Sequence, residues 1–133
     1  AIHHANLISR ESVLKLTSQL HKYNPNLQFI ETSMEPLFFN AVSGDKVPLQ
    51  GIQHKHIVIF CGLGQPEALY YTIAQLQPQL MTIFEFLDHH EYNRKEVQAI
   101  INAAIEHTSV VITTEKDFHR SRNILQECFS KSN

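Results

Sequence analysis

The sequence predicts an α/β fold: a mainly parallel sheet with helices on both faces, plus a short β-hairpin or linker segment. Two observations predict it. From His56 onward an apolar run, a polar turn and an amphipathic stretch follow one another three times, which is the pattern of βαβ units with right-handed crossovers. The 133 residues, 43% apolar and 18% charged, suit one domain large enough to bury a core.

The elements follow in order. The opening "AIHHANLIS" has no initiator Met and reads like the inside of a strand-to-helix unit, so the chain is expected to be a piece of a longer one. Between residues 9 and 23, Val13, Leu16 and Leu20 with Leu14 beside them give helical spacing, with Ser9 placed to cap and Pro25 following the stop. Residues 27–51 form a strand and linker segment. Its first part, residues 28–42, is rich in Phe, Ile and Thr but broken by Pro36, which predicts two short strands or edge segments. Its second part, "SGDKVPLQG", reads as a turn and linker punctuated by Gly44, Pro48 and Gly51. "HIVIFC" is then a buried strand, "GLGQP" a turn, and residues 67–76 a helix with Leu69, Ile73 and Leu76 on one face. "LMTIFEFL" is the second strand and "DHHEY" a turn. Residues 93–107 form a helix on the face Val97, Ile100, Ile101, Ala104 and Ile105. "SVVIT" is the third strand and "TEKD" a turn before a last helix carrying Ile124, Leu125, Cys128 and Phe129.

Charge and composition exclude several functions. A formal charge of −2 supplies no basic field for nucleic acid phosphates. No run approaches a membrane span, and no signal peptide is visible. Cys61 and Cys128 make no disulfide framework and read as buried free thiols, which fits a reducing, cytoplasmic setting. Nine His make the net charge respond to pH near neutrality.

The polar signals concentrate in the turns. "GLGQP", "DHHEY" and "TEKD" each close a strand at its carboxyl end, and in a parallel sheet those ends share one edge, where open α/β folds bind ligands. "HHAN", with His3 and His4, joins them if the first residues are a strand of the same sheet. In the first turn Gly62 and Gly64 let the backbone turn tightly and Pro66 suits a first helical turn, whose N–H groups can hold an anion. Glu67 stands where a dinucleotide fingerprint has its third Gly. In "TTEKD", Thr114 can cap the last helix with Asp117 answering as a capping box, leaving Glu115 and Lys116 as a solvated turn. "DHH" has three open readings. It can be a solvated turn with Asp88 facing backbone N–H groups, or part of a metal site, although His54, His56 and His119 are scattered rather than spaced as ligands. Or it transfers a proton, with Asp88 fixing the tautomer of His89, His89 serving a reacting hydroxyl, and His90 simply solvated.

"VIFCGLGQPEALYYTI", "FLDHHEYNRKEV" and "VVITTEKDFHR", in this order, resemble the carboxyl-terminal half of the tetraacyldisaccharide 4'-kinase (lipid A 4'-kinase) family. The resemblance covers roughly residues 56–120 well and the earlier stretch loosely. The family usually has an aromatic pair after the Gly turn, where Leu69 and Tyr70 stand here. After "TTEKD" it has a small residue and then Lys, where this chain has Phe118, His119 and Arg120.

The resemblance implies a carboxyl-terminal domain spanning residues 1–133, the second domain of a P-loop-type kinase. Such an enzyme moves the γ-phosphate of ATP to the 4'-hydroxyl of tetraacyldisaccharide 1-phosphate, at the cytoplasmic face of the bacterial inner membrane. ATP and Mg²⁺ would be bound mainly by an amino-terminal P-loop domain, since no G-x-x-x-x-G-K-[ST] occurs here. Membrane contact would likewise come from outside this stretch. His89 matches the family's catalytic His, with Asp88 beside it. Gly62, Gly64, Thr114, Glu115, Lys116 and Asp117 would line the substrate or nucleotide rim. The stretch alone would be inactive and would hold no metal. Two other classes stand beside this one. A metal-dependent DHH-type phosphoesterase would need further Asp ligands, and only Asp45 and Asp117 remain. A non-catalytic nucleotide-binding α/β module is the third.

Overall fold

A computed structural model describes residues 9–30 and 36–131. The expected contribution of His3 and His4 to a first strand lies outside the described residues. The chain divides into two compact units, residues 1–36 and 37–133, considered separately.

In the first unit, α1 (Arg10–His21) is capped as its sequence predicts: the Ser9 side chain accepts from the Ser12 N–H at 3.1 Å. The chain then turns back on itself. His21 Nε2 meets the Leu27 carbonyl at 3.0 Å, and its ring packs edge-on against Phe29.

The second unit opens with a hairpin, β1 (Phe38–Asn40) paired antiparallel with β2 (Lys46–Pro48). Here the sequence expectation needs correction. The described part of residues 28–42 holds one short strand, and its partner lies in the stretch read as linker. Gly44, at φ 93°, closes the loop with its N–H on the Ala41 carbonyl. Pro48 disguised β2, but it ends the strand, where a missing N–H is tolerated. A 3₁₀ turn (Leu49–Ile52) follows and buries Ile52.

The main sheet has three parallel strands, β3 (His56–Cys61), β4 (Leu80–Glu85) and β5 (Val110–Thr113), in the order β4-β3-β5. Placing β3 in the centre explains its unbroken apolar sequence: Ile57 to Cys61 are all buried. The pleat sends alternate residues to two cores. Val58 and Phe60 pack with Val97, Ile100, Ile101 and Cys128 from α3 (Arg94–Glu106) and α4 (Glu115–Lys131). Ile57 and Ile59 pack with Ile73 of α2 (Glu67–Ala74), Ile52 and Ile112. Each such fully buried side chain contributes roughly 1.5–3 kcal/mol of transfer free energy. Helices therefore cover both faces, as the thrice-repeated pattern predicts.

Helix starts matter most for the site. Asn93 and Glu96 form a reciprocal capping box on α3. At α4 the expected turn "TEKD" does not exist, because Glu115 already opens the helix. Thr114 alone joins β5 to α4, so Glu115, Lys116 and Asp117 occupy its first turn. Neither Cys61 nor Cys128 is in a disulfide, and both are buried.

Candidate active site

The turns after β3 and β4 meet the start of α4 at the carboxyl ends of the sheet strands, and side chains of α4 connect them. Asp117, fully buried, directs Oδ2 to the Gly62 N–H at 3.1 Å and to the Thr114 hydroxyl at 2.6 Å. The Thr114 oxygen in turn accepts the Asp117 N–H at 3.2 Å. The predicted capping box is thus half made: Thr114 caps the helix, but the Asp117 carboxylate crosses to the β3–α2 turn. Among the described residues neither its Oδ1 nor the buried Tyr92 hydroxyl makes a full hydrogen bond, although the two side chains interact. Burial, and then the Asp117 charge, push the Tyr92 phenol above its ordinary range.

Gly62 fulfils a different need from the one its sequence suggests. Its φ lies outside the left-handed region. A methyl group there would lie 2.7 Å from the Leu87 carbonyl oxygen and 3.2 Å from Asp117 Oδ1. The glycine supplies space for the β4–α3 turn to press against the β3–α2 turn. Gly64 is exposed, and a Cβ there would meet only Asp88 Oδ2, at 3.8 Å.

The Asp88–His89 pair sits in the turn closed by the His90 N–H on the Leu87 carbonyl at 3.1 Å. His89 occupies the left-handed region at φ 61°, a conformation uncommon for a side-chain-bearing residue. Asp88 Oδ1 accepts the His89 N–H at 2.9 Å and Lys116 Nζ at 2.8 Å. The Lys116 hydrogen bond is the main reason the Asp88 carboxyl is held below its ordinary range. An ion pair this exposed adds little stability, so its effect is orientation. The His89 ring is 74% exposed, with Nδ1 2.8 Å from Arg120 Nη2 and Nε2 3.6 Å from Asp88 Oδ2. Asp88, expected to orient the imidazole, thus lies farther from the ring than Arg120 does.

His90 is not simply solvated. Its Nε2 lies 2.9 Å from Glu96 Oε2, and its ring stacks on Phe86 at 4.6 Å. The Asn93 N–H, first, and then His90 lower the Glu96 carboxyl from its ordinary range. His90 ties the turn to the α3 cap.

Sequence reading missed Arg120 as a contact, and it missed a polar chain at the end of β4. There the Tyr70 hydroxyl donates to Glu85 at 2.9 Å and lies 3.4 Å from Cys61 Sγ. Burial pushes both the Tyr70 phenol and the Cys61 thiol up. Of the scattered His, His56 stacks on His107 and His119 faces Glu115 at 3.7 Å, both apart from His89. Among the described residues no group of three or more His, Cys, Asp or Glu is placed to hold a metal ion. No described helix is long and apolar enough to cross a membrane.

A model of the tetraacyldisaccharide-1-P 4'-kinase family matches residues 3–131. The chain belongs to this family. Similar tetraacyldisaccharide 4'-kinases include that of Halothermothrix orenii, 29% identical over 127 residues that cover 87% of this chain and 33% of the relative. That of Pelagibacter ubique is 24% identical over 87% of this chain and 34% of the relative. That of Chelativorans sp. is 30% identical over 57% and 22%. The chain thus spans about a third of the length of the first two curated relatives. No solved structure matches. Membership of a kinase family sets aside both the phosphoesterase and the non-catalytic module.

Proposed function

We propose that this chain is the carboxyl-terminal part of an enzyme that transfers the γ-phosphate of ATP to the 4'-hydroxyl of tetraacyldisaccharide 1-phosphate in lipid A biosynthesis. The observation that carries the reading is the meeting of Asp88–His89, Gly62 and the Thr114–Asp117 start of α4 on one rim, within a chain of this family. Phosphoryl transfer depends mainly on positioning and charge stabilisation, and a rim held by cross-turn hydrogen bonds can supply positioning. His89 meets the sugar hydroxyl and, with a carboxylate of the amino-terminal domain, prepares it for attack. Asp88 holds the turn that carries His89.

The nucleotide phosphates and Mg²⁺ are held mainly elsewhere. The chain has no phosphate-cradling loop followed by Lys, and no described cluster of metal-binding side chains. We assign both to a P-loop domain preceding this segment, along with contact to the cytoplasmic face of the inner membrane. Gly64, Glu115 and Lys116 then border the substrate.

The test is phosphate transfer from γ-labelled ATP to the acylated disaccharide 1-phosphate by the complete enzyme. Labelled 4'-phosphate formed by the wild type and lost with His89→Ala supports the reading. A wild-type enzyme that phosphorylates no such acceptor ends it.

A further inference from the structure

We infer that Arg120 is a positioning residue that fixes which nitrogen of His89 carries the proton, so that His89 offers its Nε2–H as a donor to the reaction. This rests on the reading that His89 meets the sugar hydroxyl. A guanidinium has five N–H donors and no acceptor. Arg120 Nη2 stands 2.8 Å from His89 Nδ1, so Nδ1 must be the accepting lone pair. In a neutral imidazole the proton then belongs to Nε2.

The surroundings leave that proton available. Nε2 points toward Asp88 Oδ2, but at 3.6 Å the two do not make a full hydrogen bond. Asp88 is already occupied at Oδ1 by the His89 N–H and Lys116. Because the ring is 74% exposed, packing does not set its orientation. Its orientation comes from the left-handed backbone of the turn and from Arg120. Lys116 and Arg120 lie four residues apart on one face of α4, so one helix grips the carboxylate with the first and the imidazole with the second. An exposed N–H so loosely engaged suits an acceptor: the hydroxyl oxygen as its proton leaves for a neighbouring carboxylate, or that carboxylate itself.

The test uses the complete enzyme labelled with ¹⁵N-histidine, in wild-type, Arg120→Met, Arg120→Lys and His89→Ala forms, the last to assign the His89 signals. Arg120 is exposed, so Met should leave thermal unfolding unchanged. The wild type should show a protonated Nε2 and an imine-type, hydrogen-bonded Nδ1. In Arg120→Met the Nδ1 signal should move toward that of a free or mixed tautomer. There kcat should fall ~10-fold with KM for ATP unchanged, the scale of a mispositioned group. Arg120→Lys, which keeps a donor, should recover most of both. A protonated Nδ1 in the wild type overturns the proposal. So does a loss of kcat with an unmoved ¹⁵N signature, or a moved signature with full kcat. Full kcat in His89→Ala overturns instead the reading on which the inference rests, while the ¹⁵N spectra still decide the Arg120 contact.

Discussion

Changing Gly62 to Ala adds a single methyl group at the point where the two turns touch. The new Cβ would lie 2.7 Å from the Leu87 carbonyl oxygen, 0.7 Å inside the 3.4 Å at which ordinary contact begins. Leu87 cannot simply rotate away, because its carbonyl also accepts the His90 N–H that closes the Asp88–His89 turn. Asp117 Oδ1 at 3.2 Å and His90 Cβ at 3.4 Å confine the methyl group further. The turn must move outward, and overpacking of this kind costs about 1–3 kcal/mol. Moving Leu87 carries Asp88 and His89 with it, so kcat should fall by ~10-fold to ~10²-fold. The comparison is Gly64→Ala, whose Cβ would have ordinary contact at 3.8 Å and should shift unfolding by no more than about 0.5 kcal/mol. Urea unfolding of both variants of the complete enzyme, with steady-state rates for Gly62→Ala, provides the measurement. If Gly62→Ala unfolds at the same midpoint as Gly64→Ala and keeps full kcat, the close approach of the two turns does not matter.

Three further outcomes are expected. His89→Ala should lower kcat by ~10²-fold or more with little change in KM for ATP. His90→Ala should instead cost about 1–2 kcal/mol of stability, through the lost Glu96 contact and Phe86 stacking, while keeping most of its rate per folded molecule. A crippled His90→Ala beside a normal His89→Ala would reverse the assignment. Cys61, Tyr70 and Tyr92 all have raised pKa values when folded, so above pH ~9 the folded chain keeps protons that the unfolded chain has lost. Stability should therefore decline as pH rises through that range, and urea midpoints that stay flat from about pH 8 to about pH 10 would contradict it. The 133-residue chain by itself should transfer no phosphate from ATP, since it has no phosphate-cradling loop, and robust product formation by it alone would refute the two-part enzyme.

Much of the sheet was legible because its signals are local. Apolar runs marked β3, β4 and β5, and Ser9 and Asn93 announced the starts of α1 and α3. β2 was not, because three residues ending in Pro carry no periodicity. Around the rim, the sequence marked the turns after β3 and β4 but took the first turn of α4 for a third, and it gave none of their contacts. Thr114 and Asp117 suggest a cap three residues apart, yet nothing local says that the carboxylate will turn to an N–H 55 residues earlier. The Arg120–His89 contact spans 31 residues, and His90's place between Phe86 and Glu96 depends on how the turn folds over α3. Long-range side-chain pairing is set by the packed sheet, and periodicity does not encode it.

Both rim turns precede the helix that binds them, and this sets the order of assembly. Lys116, Asp117 and Arg120 reach back to Asp88, Gly62 and His89, so each contact must wait until α4 has been synthesised. A nascent or truncated chain ending at β5 could pair its strands and still present a disconnected set of turns. Loss of α4 by proteolysis or a premature stop would therefore disconnect the rim as well as open the hydrophobic core. The contacts that join the rim can form only after its other turns have been made.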